Sequence, residues 1–463
     1  MAKTKTQFVC QQCGVTYPRW QGQCTECGQW NTLVEETVET IAAKSPLRPS
    51  SEILTAFPDV KALEGREKRF STSLTELDRV LGGGMVPGGV ILLGGEPGIG
   101  KSTLMTQVAV NLLVDSPAKK DRWPILYVAG EESPRQISLR INRFLNSEHK
   151  KSTKKMTALT AQKKLKDLVF ITSTDVDELL QAMRTEQPRL VVVDSIQAMS
   201  TRELTGASGS VGQLRESTER IAQLAKALHI PVFLIGHVTK EGAIAGPKVL
   251  EHIVDAVVEI SGERSDQLRL VRALKNRFGA TDEVGVFQHV EYGLEEVPNP
   301  SELFLEHQEG GVPGSATVCV MEGTRPLLIE VQALVTNSQL AMPRRVGRGI
   351  ELSRIQVLCA VLQKHAGLPL GSNDVFLSAA GGFRVTEPAV DLGLAVAIAS
   401  SMRGVKVPQK TIFIGEVGLL GEIRKVNYLE RRIKEARRLG FTKIISRENA
   451  RTVREVLKTL ALL

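Results

Sequence analysis

No apolar run in these 463 residues approaches the roughly 18 to 20 that a membrane-spanning helix requires, which leaves no candidate span. The first residues, MAKTKTQFVCQQC, are basic but carry no apolar stretch behind the charges. That argues against a secretory leader and makes a cytoplasmic setting the expectation. Cysteine is scarce: there are six, and four of them fall in two Cys-x-x-Cys pairs near the N-terminus. In a long chain from a reducing compartment such pairs hold metal more often than they form disulfides. No internal repeat is visible. What is present is ordinary globular material, 42% hydrophobic and 24% charged. A chain of this length and composition can build cores for about two or three domains. The net charge of +8 fits either a mildly basic enzyme or a chain with a polyanionic partner.

Composition divides the chain. Residues 1–34 form a Cys-rich head. Residues 35–65 read as a linker, acidic at Glu35, Glu36 and Glu39, then Ser/Pro-rich through Ser45, Pro46, Pro49 and Ser50. Residues 66–297 have an α/β pattern. Short apolar runs at 90–93, 125–128, 168–171, 190–193 and 231–235 alternate with helical stretches such as 178–184 and 214–228. Buried strands alternating with helices predict a mostly parallel sheet. Further strand-like runs at 256–260, 267–274 and 284–290 predict an antiparallel extension. Beyond the Pro-rich break at 297–300, residues 298–463 read as a second α/β domain. Its expected strands lie near 316–321 and 327–334, and its helices at 354–364, 389–402, 430–439 and 450–460. The stretch 146–166 is Lys-rich, with Lys150, Lys151, Lys154, Lys155, Lys163, Lys164 and Lys166. It is either a solvated surface or a nucleic-acid contact.

Gly95-Glu96-Pro97-Gly98-Ile99-Gly100-Lys101-Ser102 fits G-x-x-x-x-G-K-[ST], and Thr103 opens the helical stretch that follows. Glycines let backbone N–H groups close around phosphate oxygens, where side chains would block the approach. The N-terminus of the next helix adds a favourable partial charge. The motif predicts an ATP site in which Lys101 reaches the β- and γ-phosphates and the Ser102 hydroxyl binds Mg²⁺. The run 190–194 ends a buried strand in Asp194, which would lie beside the loop and hold the hydrated Mg²⁺. Hydrolysis also needs a group that orients or deprotonates water. Glu131, ahead of Glu132, is the candidate, at the ligand-binding edge of a parallel sheet. Both acids would also suit the start of the next helix as solvated charges.

Cys10, Cys13, Cys24 and Cys27 form two knuckles separated by ten residues. Four thiolates in that pattern supply the tetrahedral set that Zn²⁺ prefers and leave no open position, so the site is read as structural. A segment of about 30 residues cannot bury enough surface to fold alone, and metal would supply much of its folding energy. Cys319 and Cys359 lie in apolar runs and read as core.

The Cys knuckles, then Ser73-Leu-Thr-Glu-Leu-Asp78-Arg-Val-Leu-Gly-Gly-Gly84, the phosphate loop and Lys275-Asn-Arg-Phe-Gly279 together resemble the bacterial RadA (Sms) family over nearly the whole chain. The resemblance implies a RecA-like ATPase core and a C-terminal domain like the proteolytic domain of Lon. It implies a hexameric ring that binds single-stranded DNA and drives branch migration of recombination intermediates beside the RecA recombinase. By the same resemblance, Lys275 and Arg277 would lie near a subunit boundary, facing the neighbour's γ-phosphate or coupling ATP state to DNA grip. Read alone, they are as easily two solvated cations. The stretches 205–212 and 237–248 fall where RecA-like proteins carry DNA-binding loops, with Lys240, Lys248 and Arg215 as phosphate contacts. The Lys-rich stretch 146–166 has the look of an insertion relative to the family.

The Lon-like half raises a rival function, ATP-dependent proteolysis, which needs a Ser nucleophile activated by Lys. Where Lon has its serine, after Pro388, this chain has Ala389, and the Lys position falls near Arg432. Ala offers no nucleophile and Arg does not deprotonate. The domain is therefore expected to be a scaffold, with the basic stretch 424–438 suited to duplex DNA. A nucleotide-driven assembly ATPase is the third reading.

Overall fold

A computed structural model describes residues 3–10, 12, 15–40, 69–115, 124–146, 164–204, 206–236, 248–262, 267–305, 311–380 and 384–463. Two units divide between Glu296 and Val297, one residue from the expected boundary. Among the described residues no helix is long and apolar enough to cross a membrane.

At the N-terminus β1 (Lys3–Cys10) pairs antiparallel with β2 (Thr16–Tyr17) and β3 (Leu33–Thr40). The expected linker therefore begins too early. Glu35 stands opposite Phe8 and Thr40 opposite Lys3, so 35–40 continue a strand. The Val and Thr residues of LVEETVET favour extended backbone, which outweighs the acidic composition that reads as linker. Residues 41–65 lie outside the described residues.

The first unit continues with α1 (Thr75–Val80). It then alternates β4 (Val90–Gly95), α2 (Lys101–Asp115), β5 (Ile125–Ala129), α3 (Pro134–Asn146), β6 (Leu168–Ile171), α4 (Val176–Glu186), β7 (Leu190–Asp194), α5 (Val211–Leu228) and β8 (Val232–Ile235). After α6 (Lys248–Ile253) come β9 (Ala256–Ser261), β10 (Leu268–Asn276), β11 (Val284–Val290) and β12 (Gly293–Glu296). All nine strands from β4 join one sheet in the order β12-β11-β10-β9-β4-β8-β7-β5-β6. β9 runs parallel to β4, contrary to the expected antiparallel extension, which begins only at β10. The reason is the connection: α6 lies between β8 and β9 and allows a crossover, whereas the β10 and β11 links are hairpins.

Every residue of β4, β5, β7 and β8 is buried, which is why these runs lack a polar alternation. Alternate side chains nevertheless go to opposite faces. Ile91, Leu93, Ile125, Tyr127, Leu190 and Val192 pack with α2 and α3, while Val90, Leu92, Leu126, Val128, Val191 and Val193 pack with α4 and α5. Ser210 caps α5, its side chain accepting from Gln213 N, and His229 ends that helix in the left-handed region.

The second unit contains α7 (Pro300–Leu305), β13 (Ser315–Glu322), β14 (Arg325–Asn337), β15 (Arg345–Arg348), α8 (Leu352–Val361) and β16 (Asn373–Ala379). It continues through α9 (Asp391–Arg403), β17 (Thr411–Ile414), β18 (Glu416–Val417), β19 (Ile423–Arg424), α10 (Leu429–Arg438), β20 (Lys443–Ser446) and α11 (Val453–Thr459). Six strands form a mixed sheet in the order β15-β16-β14-β13-β17-β20. Helix α9 is buried from Asp391 to Ser400 and lies on β13, β14 and β17. The expected helix at 354–364 begins two residues earlier, and its last turn, Leu362–Ala366, is π-helical.

Candidate active site and metal centre

β4 feeds the phosphate loop directly into α2. Gly95 sits at φ +151, and a Cβ there would meet Ile260 O at 2.6 Å, so the turn admits only glycine. Lys101 folds back over the loop, donating from Nζ to Gly95 O at 2.8 Å and Glu96 O at 2.9 Å. Burial pushes its ammonium down from the usual lysine range, while the charges of Asp194 and Glu131 push it up. Asp194 ends β7 beside Ala129 of β5. Burial raises its carboxyl; hydrogen bonds from Ser102 and Tyr127 oppose that, and Glu132 and Glu131 add to it. Glu131 accepts a hydrogen bond from Ser195 Oγ. Glu132 is instead gripped by Arg140 Nη2 at 2.6 and 2.7 Å.

The fold thus brings Lys101, Ser102, Asp194 and Glu131 together at one sheet edge, with Glu132 close enough to act on Asp194 but bonded to Arg140 of α3. The Ser102 hydroxyl and Asp194 carboxylate are hard oxygen donors, side by side, as Mg²⁺ requires. Sequence reasoning missed Tyr127, Ser195 and Arg140. Only Tyr127 carried a signal, a phenol in an otherwise aliphatic buried run.

Lys275 and Arg277 lie elsewhere. Lys275 is level with Val257 of β9, which is level with Leu92 of β4. Arg277 N donates to Asp255 O at 3.0 Å and Asp255 N to Val90 O at 2.9 Å, at the start of β4. The phosphate loop leaves the other end of β4, about 10 to 16 Å away at 3.3 Å per residue. Lys275 Nζ donates to Glu251 O and, at 2.9 Å, to Val254 O, holding the end of α6. Burial and the neighbouring Arg277 charge push its ammonium down. Arg277 pairs with the buried Asp255 at 3.2 Å. Arg69 ties this segment to the glycine turn, donating to Phe278 O at 2.6 Å and Leu81 O at 3.2 Å. A Cβ on Gly82 would sit 3.3 Å from Gly279 Cα, so the Ser73–Gly84 and Lys275–Gly279 motifs are neighbours in space.

Of the expected DNA-contacting cations, Arg215 pairs with Glu219 at 2.9 Å on the exposed side of α5. Lys248 opens α6, and Lys240 lies outside the described residues. Within 146–166, Lys164 donates to Val114 O at 2.8 Å. Lys150, Lys151, Lys154, Lys155 and Lys163 are outside the described residues.

In the ribbon, the sulfurs of Cys10, Cys24 and Cys27 lie within 4.8 Å of one another, and Cys10 Sγ is 3.7 Å from Cys27 Sγ. A tetrahedral Zn–S₄ site with bonds of about 2.3 Å has edges of roughly 3.8 Å, so the donor set fits Zn²⁺. Each knuckle is closed by its first cysteine, Cys10 N donating to Val15 O and Cys24 N to Gln29 O. Cys13 lies outside the described residues. Cys319 and Cys359 are buried core thiols, the first pushed up to about 12 by burial.

In the C-terminal unit the stretch 424–438 keeps Arg424, Lys425, Arg431, Lys434, Arg437 and Arg438 exposed, while Arg432 turns inward. Arg432 is fully buried, bonded to Glu387, to Cys319 O at 2.5 Å and to Asn427 O at 3.0 Å. Arg424 pairs with Glu416 and Glu422, and Arg438 with Glu435. Glutamates at helix and hairpin spacing pair with these two arginines. Ala389, two residues after Glu387, is itself buried.

Fold and site define a P-loop ATPase of RecA-like build, carrying a zinc ribbon at one end and a ChlI/Lon-like unit at the other. Family models agree: a Rubredoxin metal binding domain matches residues 8–35, an AAA domain 58–243, and Subunit ChlI of Mg-chelatase 330–449. DNA repair protein RadA of Halalkalibacterium halodurans is 45% identical over 448 residues, covering 96% of this chain and 93% of its own. Those of Bacillus subtilis, 44% identical over 449 residues, and Pseudomonas aeruginosa, 45% over 448, cover the same shares. The chain belongs to the RadA family of DNA repair proteins.

Proposed function

We propose that this chain is a DNA-dependent ATPase that binds single-stranded and branched DNA. It drives branch migration of recombination intermediates with the RecA recombinase, working as a homo-oligomeric ring, a hexamer by family resemblance. The observation that carries the reading is the split of its chemistry between two edges of one sheet. Lys101, Ser102, Asp194 and Glu131 share one edge; Lys275 and Arg277 hold the opposite one, beyond reach of their own phosphate loop. In the proposed ring these two cations would complete the neighbour's site.

In the proposed site the backbone of residues 95–103 cradles the ATP phosphates, and Lys101 leaves its two loop carbonyls to meet the β- and γ-oxygens. Ser102 and Asp194 would hold Mg²⁺, which supplies charge neutralisation at the phosphates. Glu131, oriented by Ser195, takes the proton of the attacking water. Lys275 and Arg277 reach the neighbour's γ-phosphate, where a trans cation acts on the transition state. Cys10, Cys13, Cys24 and Cys27 hold structural Zn²⁺. The C-terminal unit is a scaffold rather than a protease, because Ala389 has no hydroxyl and Arg432 is locked to Glu387.

Stimulation of hydrolysis by single-stranded DNA tests the reading against its rivals. DNA-stimulated turnover with no cleavage of unfolded protein is the expected result. DNA-indifferent turnover in intact rings would favour an assembly ATPase, and ATP-driven proteolysis the Lon reading.

A further inference from the structure

Tyr127 is fully buried on β5, among the apolar side chains between the sheet, α2 and α3. Phenylalanine would fill the same space, and a hydroxyl buried there is costly unless paired. It is paired: Tyr127 OH donates to Asp194 Oδ2 at 2.8 Å. The Thr106 hydroxyl of α2 also sits at the Tyr127 oxygen, and Thr106 Oγ1 donates to Ser102 O at 2.6 Å. A chain of contacts therefore runs from the start of α2, through Thr106 and Tyr127, to the carboxylate at the end of β7. It holds the Asp194 carboxylate, read as a Mg²⁺ ligand, and reaches the backbone carbonyl of Ser102.

We propose that Tyr127 is a positioning residue for metal-dependent nucleotide binding, setting the rotation of the Asp194 carboxylate so that the oxygen it leaves free faces Mg²⁺. The proposal rests on the reading of Asp194 as a metal-site carboxylate. A donor that orients a ligating carboxylate from behind is commonly worth 10- to 100-fold in metal affinity.

The test uses the full chain and a fluorescent ATP analogue, titrated first in EDTA and then with rising Mg²⁺. Tyr127→Phe should leave metal-free nucleotide affinity and the thermal midpoint nearly unchanged. It should raise the Mg²⁺ concentration at half-effect by about tenfold or more, with Mg²⁺-dependent hydrolysis following. Thr106→Val, one contact further out, should move the Mg²⁺ midpoint in the same direction by less, and decides the matter if Tyr127→Phe does not fold. Asp194→Asn separates the two levels. If it removes the Mg²⁺ effect while Tyr127→Phe and Thr106→Val leave the midpoint unmoved, the positioning role is overturned and the Asp194 reading stands. If Asp194→Asn itself leaves the Mg²⁺ effect intact, both fail.

Discussion

Glu131 and Glu132 are adjacent in the chain and separate in the structure. The first meets the Ser195 hydroxyl beside Asp194; the second closes a two-oxygen grip on Arg140. A carboxylate whose two oxygens are both taken up by a guanidinium has no oxygen left to aim at a water. Glu131→Gln should therefore lower turnover by about 10²- to 10⁴-fold with ATP still bound, while Glu132→Gln should cost less than about tenfold. Phosphate release and nucleotide affinity measured on both variants check this, and the reverse order would move the base assignment to Glu132. At this scale the sequence makes the phosphate loop, Asp194 and the acidic pair readable, because each depends on a local motif. Arg140 and Ser195 are not readable: their roles arise where α3 and the end of β7 come together in space.

Among elements, those legible in advance are the ones whose pattern is local. The buried strands β4 to β8 show as short apolar runs, and α4 and α5 as periodic ones. The direction of β9 is settled by its partners, whereas β16, β17 and β20 carry short strand-like runs, NDVFLSA, TIFI and KIIS, that the sequence reading leaves unassigned. The ribbon is the element most dependent on its metal. Cys10→Ser should lower bound zinc and unfold the ribbon while leaving the ATPase sheet intact. Elemental analysis and nucleotide binding measured together would show it, and unchanged zinc stoichiometry would refute the ribbon site. Helix α9 gives a second test. Burial pushes the Asp391 carboxyl up to about 6, against the opposing pull of Arg354. In the unfolded chain the group titrates near about 3.9. The folded state therefore holds the proton more tightly, and its stability falls as pH rises through roughly 4 to 6. Asp391→Asn should change little near pH 4 and stabilise the C-terminal unit above pH 6 by on the order of 2 kcal/mol. Thermal midpoints of the two proteins compared across that range decide it; a difference that grows toward low pH would contradict it.

For the whole molecule, the question is whether ATP chemistry crosses a subunit boundary. Sequence motifs identify Lys275 and Arg277, but only the register through β9 and β4 places them at the edge away from their own phosphate loop. Lys275 meanwhile holds the carbonyls that end α6, the helix that begins at Lys248, the last residue of the stretch 237–248 expected from the resemblance to be a DNA loop. In the proposed ring, Lys275 would face the phosphates of the next subunit while it holds α6 in its own. Lys275→Ala should leave nucleotide affinity nearly intact, because residues 95–103 and Asp194 bind ATP from one chain. It should lower DNA-stimulated turnover on the order of 10³-fold, as loss of a trans cation does. Mixed rings distinguish the two possible sites of action. A Lys101→Ala subunit cannot hydrolyse but still presents Lys275; a Lys275→Ala subunit keeps its phosphate loop. Combined, some interfaces pair an intact loop with an intact Lys275, and part of the turnover should return. If subunits demonstrably exchange and no activity returns, Lys275 acts through α6 within its own chain, and the divided-site reading fails with it.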